Sequence, residues 1–241
     1  LNFEKRSHQA EQLDNLSLSG KVLQQTLLSL RHINLFLGNH RQLSSAVIKF
    51  CLTRFPQKKI SIIDIGCGGG DSLFYISKKL KARNINASLM GIDGNPQSIA
   101  YAQQNNPDPS NIAFRTADIL ASDFNLPICD VVISSHFIYH FNDQQLCDFL
   151  KKLQTKTVKH IIFSELYRSA IAYYIFKLVS TVLPISEMAK KDGLIAIRRA
   201  FTRKELLTII KGSEIEKYTV IKKPFFRMIA QIYICNERNS S

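Results

Sequence analysis

Ile60-Ser61-Ile62-Ile63-Asp64-Ile65-Gly66-Cys67-Gly68-Gly69-Gly70-Asp71 is the stretch that decides the fold. It opens as a short apolar run suited to a buried strand, passes through a turn with almost no side chains, and enters a helix near Asp71. Glycine lets the backbone take positive φ and lets a ligand approach to van der Waals contact. Four glycines in five positions would only destabilise a plain strand–helix turn. The segment therefore reads as a ligand loop at the carboxyl edge of a parallel sheet, where open α/β folds bind ligands.

Further apolar runs continue the pattern: Ala87 to Ile92, Asn111 to Thr116, Asp130 to Ile133 and His160 to Phe163. Helical or polar segments separate most of them, as in parallel strands joined by crossovers. Tyr218 to Ile221 and Met228 to Ile234 predict a closing pair, with Pro224 in their connection and the last strand antiparallel. Ahead of the loop, residues 1 to 58 read as helical. Lys21 to Leu37 carries apolar residues at helical spacing and stops at Gly38; a second helix, about Gln42 to Thr53, is closed by Pro56.

The loop is not a dinucleotide site. G-x-G-x-x-G needs glycine at the third position after Gly68, where Asp71 stands, and an anion there opposes a pyrophosphate. The Gly-Lys-Ser/Thr ending of a P-loop is also absent. Flanked by Asp64 and Asp71, the loop suits a cation. S-adenosylmethionine (SAM), with a sulfonium, an ammonium and no phosphate, is such a ligand. Asp93 closes the second run, followed by Gly94, and a carboxylate there can accept both hydroxyls of a ribose. Asp118, followed by Ile119, is placed to accept from an adenine amino group.

Together these residues resemble the class I SAM-dependent methyltransferases: D-x-G-x-G-x-G after the first strand, an acid closing the second, A-D-I after the third. Cys129-Asp130-Val131-Val132-Ile133-Ser134-Ser135 and the following His136-Phe137-Ile138-Tyr139-His140-Phe141 are similar to that family's fourth strand and the loop after it. The resemblance spans about residues 58 to 166. It implies a Rossmann-like seven-stranded, mostly parallel sheet with the last strand reversed, and a SAM pocket above the first and fourth strands. It implies cofactor roles for Gly66, Gly68, Asp93, Asp118 and Ser134, and it places Cys67 where the backbone matters more than the thiol. Asp64, Gly94 and Ile119 fall beside these positions.

From Glu165 to Phe201 the chain is longer than a minimal link, so residues 166–200 read as a lid insertion. Ala170 to Ile185 predicts an amphipathic helix, too short to span a membrane. With the N-terminal cap, residues 1–57, the lid would enclose an acceptor cavity in a methyltransferase domain of residues 58–241. The segment around Asn34 and the S-E-L-Y-R-S stretch resemble a bacterial subgroup of small-molecule methyltransferases. That implies a hydroxylated aromatic or polyketide-like acceptor, methylated on oxygen or carbon. His140 and His136 follow the fourth strand, beside the expected methyl, and are candidate bases. Glu165, ending the fifth strand, is a candidate for orienting an acceptor hydroxyl. Tyr139, Arg168, Tyr174 and Asn34 are candidate acceptor contacts, with pairing to Asp192 the other expectation for Arg168 and Tyr167. The i, i+4 histidines have no further metal ligand near them in sequence, so no metal is expected.

The formal charge of +13 invites a nucleic-acid partner, but the basic residues form no single arm. From Ser186 to Arg227 both signs interleave, as on a solvated surface. An RNA or protein methyltransferase, or a non-catalytic SAM binder, are the competing classes. Five scattered cysteines with no C-x-x-C pair fit a reducing cytoplasm, and no basic-then-apolar leader opens the sequence at Leu1.

Overall fold

The computed structural model describes residues 2–54, 59–155 and 158–234. Pro56, the boundary expected at 57/58 and Cys235 lie outside the described residues. One sheet holds β1 (Ile60–Ile65), β2 (Ala87–Asp93), β3 (Ile112–Thr116), β4 (Val131–Ser135), β5 (His160–Leu166), β6 (Lys217–Lys223) and β7 (Arg227–Tyr233). Their order is β3-β2-β1-β4-β5-β7-β6. Strands β1 to β5 pair in parallel, whereas β7 runs antiparallel to both β5 and β6. A tight turn carrying Pro224 joins β6 to β7, and so short a link can only connect antiparallel neighbours. The expected sheet, with its last strand reversed, is the one observed.

Helices cover both faces. Leu43, Val47 and Phe50 of α2 (Asn39–Arg54) pack with Leu73, Ile76 and Leu80 of α3 (Asp71–Lys81) and Ile99 of α4 (Pro96–Gln104) over Ile60 and Ile62. On the other face, Leu146 and Leu150 of α5 (Asp143–Gln154) and Leu206 and Ile210 of α8 (Arg203–Gly212) pack over Ile63 and Ile65. Strand residues alternate between faces, which divides β1 between the two cores. The carboxyl ends of β1 to β5 then share one edge.

Three elements rise over that edge: α1 (Gly20–Phe36), α6 (Ala170–Val179) and α7 (Glu187–Arg199). The apolar stretch expected to be helical to Ile185 stops at Val179, after which the chain turns into α7. The beginning of the chain departs from the helix expected there. Residues 2–18 are not helical apart from one 3-10 turn, Gln12–Asp14. They have no apolar stripe to bury; polar contacts lay them as a strap across the same edge. Ser7 N donates to Arg198 O at 3.0 Å. Gln12 N and Leu13 N each donate to the Asp192 carboxylate at 3.0 Å, and Arg6 donates to the carbonyls of Tyr139 and Phe141. No helix among the described residues is long and apolar enough to cross a membrane.

Candidate functional site

Beneath the strap, α1, α6 and α7 lies a cavity of about 960 Å³ that reaches down to the glycine loop. Single-ligand pockets run from about 300 to 1,000 Å³. A space at the top of that range suits two molecules side by side.

One end is polar and acidic. Gly66, Cys67, Gly68, Asp64, Asp71, Asp93, Gly94, Asp118 and Ile119 all line it. Gly66 and Gly68 take φ of +70° and +51°. A Cβ on Gly66 would lie 2.3 Å from the Phe137 ring, so that ring rests directly on the loop. Gly68 N donates to Asp93 Oδ2 and Asn95 N to Oδ1, each at 2.9 Å. The carboxylate thus organises the loop and still has lone pairs for a ligand. Asn95 in turn caps α4 through Gln97 N and Ser98 N. Asp118 Oδ1 accepts from Leu120 N at 2.9 Å. Asp71, opening α3, is held by His40 Nε2 at 2.6 Å, a contact that ties α2 to the loop.

Asp64 is buried, and its Oδ1 has no partner. Burial, with Asp71, Asp93 and Glu165 nearby, pushes its carboxyl well above the usual carboxylate range. An orphaned acid among other acids wants a cation, and SAM brings its ammonium and sulfonium to such a place. The residues present fit that cofactor.

Ser134 lies just outside this wall: its Oγ donates to Ile65 O at 3.1 Å inside the sheet, while its neighbour Ser135 faces the cavity. The serine next in sequence was the better candidate because strand side chains alternate.

The other end is mostly apolar, built by Leu30 and Ile33 of α1, Ile175, Phe176 and Val179 of α6, and Ala189 and Ala196 of α7. His136, Tyr139, His140 and Asn34 also line the cavity. His140 Nδ1 lies 3.1 Å from Arg199 Nη2 and 3.2 Å from Asp14 Oδ1. His136 takes φ +55°, and its Nε2 accepts from Arg227 Nη1. Burial first, then the positive charge of Arg227, holds its ring neutral and well below the ordinary histidine value. As a base it is weak. Glu165 does not line the cavity; Oε1 accepts from Phe137 N at 3.2 Å and Ile138 N at 3.4 Å, ordering the loop that carries both histidines. Burial raises its carboxyl to about 8.

Two acceptor candidates are placed elsewhere. Arg168 forks onto Glu205 at 2.5 and 3.0 Å and donates to Ala200 O, Phe3 O and Glu4 O. It pins the strap to α8, away from the cavity, and Asp192 serves the strap instead of pairing with it. Tyr167 packs against Phe226. Tyr174 is 55% exposed and outside the lining. Helix α6 is apolar nearly all round, so periodicity alone could not tell its inner face from its outer one.

Sequence reasoning missed Glu11, Asp14, Arg199 and Arg227, which all line the cavity. Glu11, Asp14 and His140 present ligand atoms within 4.8 Å of one another. Arg199 Nη1 already sits 3.3 Å from Glu11 and 2.7 Å from Asp14 and supplies the cation there. Only contacts between residues far apart in sequence, 59 or more positions, bring these groups to the cavity, except that Arg227 stands alone at the mouth of an apolar strand.

The model of the methyltransferase domain family matches residues 56–224. No curated protein matches the sequence significantly. Among solved structures, the plantazolicin methyltransferase in complex with S-adenosylhomocysteine (SAH) is similar with a TM-score of 0.62 at 19% identity, over 88% of this chain and 94% of that one. The magnesium protoporphyrin IX methyltransferase of Synechocystis PCC 6803, with bound SAH, gives 0.54 at 14% identity, over 91% and 90%. Human N-acetylserotonin methyltransferase, in complex with SAM, gives 0.60 at 15% identity, over 86% of this chain but only 54% of that one. At these identities the likeness is one of fold, and it is the family match over more than half of the sequence that identifies the chain as a member of the methyltransferase domain family.

Proposed function

We propose that this chain transfers a methyl group from SAM to a small, largely apolar acceptor, a hydroxylated aromatic or polyketide-like molecule methylated on oxygen or carbon. The observation that carries this reading is the one cavity with two unlike ends: an acidic glycine loop that fits SAM, and an apolar chamber beside it. SAM supplies an electrophilic methyl on its sulfonium. For an in-line displacement, positioning does most of the work. Asp93 and Asp118 hold the nucleoside, Asp64 faces the positive charge, and α6 with α7 closes the chamber against water. In this reading His140, whose Nδ1 lies between Arg199 and Asp14, takes the proton from an acceptor hydroxyl.

Methyl-labelled SAM incubated with a panel of alkylated hydroxyaromatics should label the product. Label entering RNA instead, with binding that weakens steeply in salt, would replace this reading with the nucleic-acid one. SAM binding without transfer to any class would leave a non-catalytic binder.

The lid makes a sharper expectation. Phe176 and Val179 face the chamber. Phe176→Ala combined with Val179→Ser should lower kcat/KM for the acceptor about tenfold or more, since each lost apolar contact costs on the order of 1–2 kcal/mol. SAM affinity should not change. Equal weakening of both ligands would make α6 part of the cofactor site.

SAM binding should also strengthen as pH rises. Burial and the neighbouring acids raise the Asp64 carboxyl, and a cation beside it favours the carboxylate. Binding therefore releases a proton, and affinity climbs through the raised value before levelling off. Calorimetry in two buffers of different ionisation enthalpy measures the proton count; uptake of a proton would contradict this role.

A further inference from the structure

Arg227 opens β7 and is completely buried, yet it lines the cavity. Its Nη1 donates to His136, its Nη2 lies 3.5 Å from Asn34 Oδ1, and its Nε has no partner. It makes no ion pair with any carboxylate among the described residues. Glu165 is the acid that acts on it, but its Oε1 is taken up by two backbone N–H groups, and its Oε2, buried without a hydrogen-bond partner, does not come within ion-pair distance of the guanidinium. Arg227, lowered to about 9 by burial, keeps its charge at neutral pH. An uncompensated buried cation is costly.

The backbone around it is costly as well. Phe225 and Phe226, in the turn that delivers Arg227, take φ of +61° and +54°, and His136 takes +55°. Non-glycine residues held there by their surroundings cluster where a site must be preorganised. Nε and Nη2 lie on the same edge of the planar guanidinium, the edge that grips a carboxylate with two parallel hydrogen bonds. Here that edge carries only the long contact to Asn34.

The geometry points to a carboxylate on the acceptor, gripped by the Nε–Nη2 edge of Arg227 while the rest of the molecule lies in the apolar chamber under Phe176. This rests on the acceptor reading given above and names the substrate class: an apolar carboxylic acid. Asn34 is the residue that steers the guanidinium, and His136 fixes its far side.

The test uses SAH-saturated protein and a series of para-alkyl benzoates, methyl to heptyl, each matched with its neutral benzamide. The best benzoate should bind at least tenfold more tightly than its amide. That preference should vanish in Arg227→Met and survive in part in Arg227→Lys, which keeps charge but not the fork. SAH affinity and the melting temperature report whether each variant is intact. Equal binding of acid and amide to the unaltered protein would overturn the carboxylate while leaving the apolar chamber as acceptor site, and this comparison needs no variant. A preference that persists in Arg227→Met would also overturn it. Failure of every acid and amide to bind would overturn the chamber reading together with the carboxylate.

Discussion

Gly68→Val should abolish SAM binding while leaving the sheet folded. Gly68 holds φ +51°, and a Cβ built on it would meet nothing nearer than Leu27 Cδ2 at 3.7 Å. The protein therefore leaves room for the side chain, and that room is the cavity itself, so a branched residue would stand where the cofactor must lie. The left-handed backbone costs a non-glycine residue about 1–2 kcal/mol, well inside the roughly 5–15 kcal/mol by which a domain is stable. Gly66 would be a poorer choice, since its Cβ would strike the Phe137 ring at 2.3 Å and the loop itself would have to move. Calorimetry with SAM should give no heat of binding from the valine variant, with a far-ultraviolet spectrum like that of the unaltered protein. Normal affinity would put the cofactor elsewhere than on this loop.

What could be read in advance divides along physical lines. Strands covered on both faces appear as largely apolar runs, and runs such as Ile60–Ile65 and Ala87–Ile92 were legible for that reason. The loop and Asp93 were legible because their chemistry is local: positive φ demands glycine, and a strand end fixes where the next carboxylate sits. The strap over residues 2–18 was not. Its position depends on Asp192, Arg168 and Arg198, each more than 150 residues away, and nothing in its own composition signals an extended path. Helix α6 was legible as a helix but not in its rotation, because Tyr174 and Leu178 are as apolar as the residues that face inward. Leu178 is 73% exposed. Arg168 was mistaken for an acceptor contact because an arginine after a strand end looks the same whether its carboxylate belongs to a ligand or, as here, to Glu205 on α8.

Asp93→Ala should weaken SAM binding by between about tenfold and several hundredfold. Hydrogen bonds to a charged group contribute roughly 1.5–3 kcal/mol each, and two ribose hydroxyls would lose their acceptor together. At 1.4 kcal/mol per decade, one such bond already exceeds tenfold and two at the lower value exceed a hundredfold. The structure adds a second cost. Both oxygens of Asp93 also accept backbone N–H groups, from Gly68 and Asn95, so alanine frees the loop as well as the ribose. Asp93→Asn goes part of the way to separating the two effects: its one carbonyl oxygen can still take the Gly68 N–H, though the Asn95 N–H loses its acceptor, while its amide has no lone pair for a hydroxyl. If the asparagine variant binds SAM as tightly as the unaltered protein while alanine does not, Asp93 acts only by shaping the loop. A loss in asparagine close to the loss in alanine assigns the ribose contact to the carboxylate. Unchanged affinity in a folded alanine variant would remove Asp93 from the site altogether.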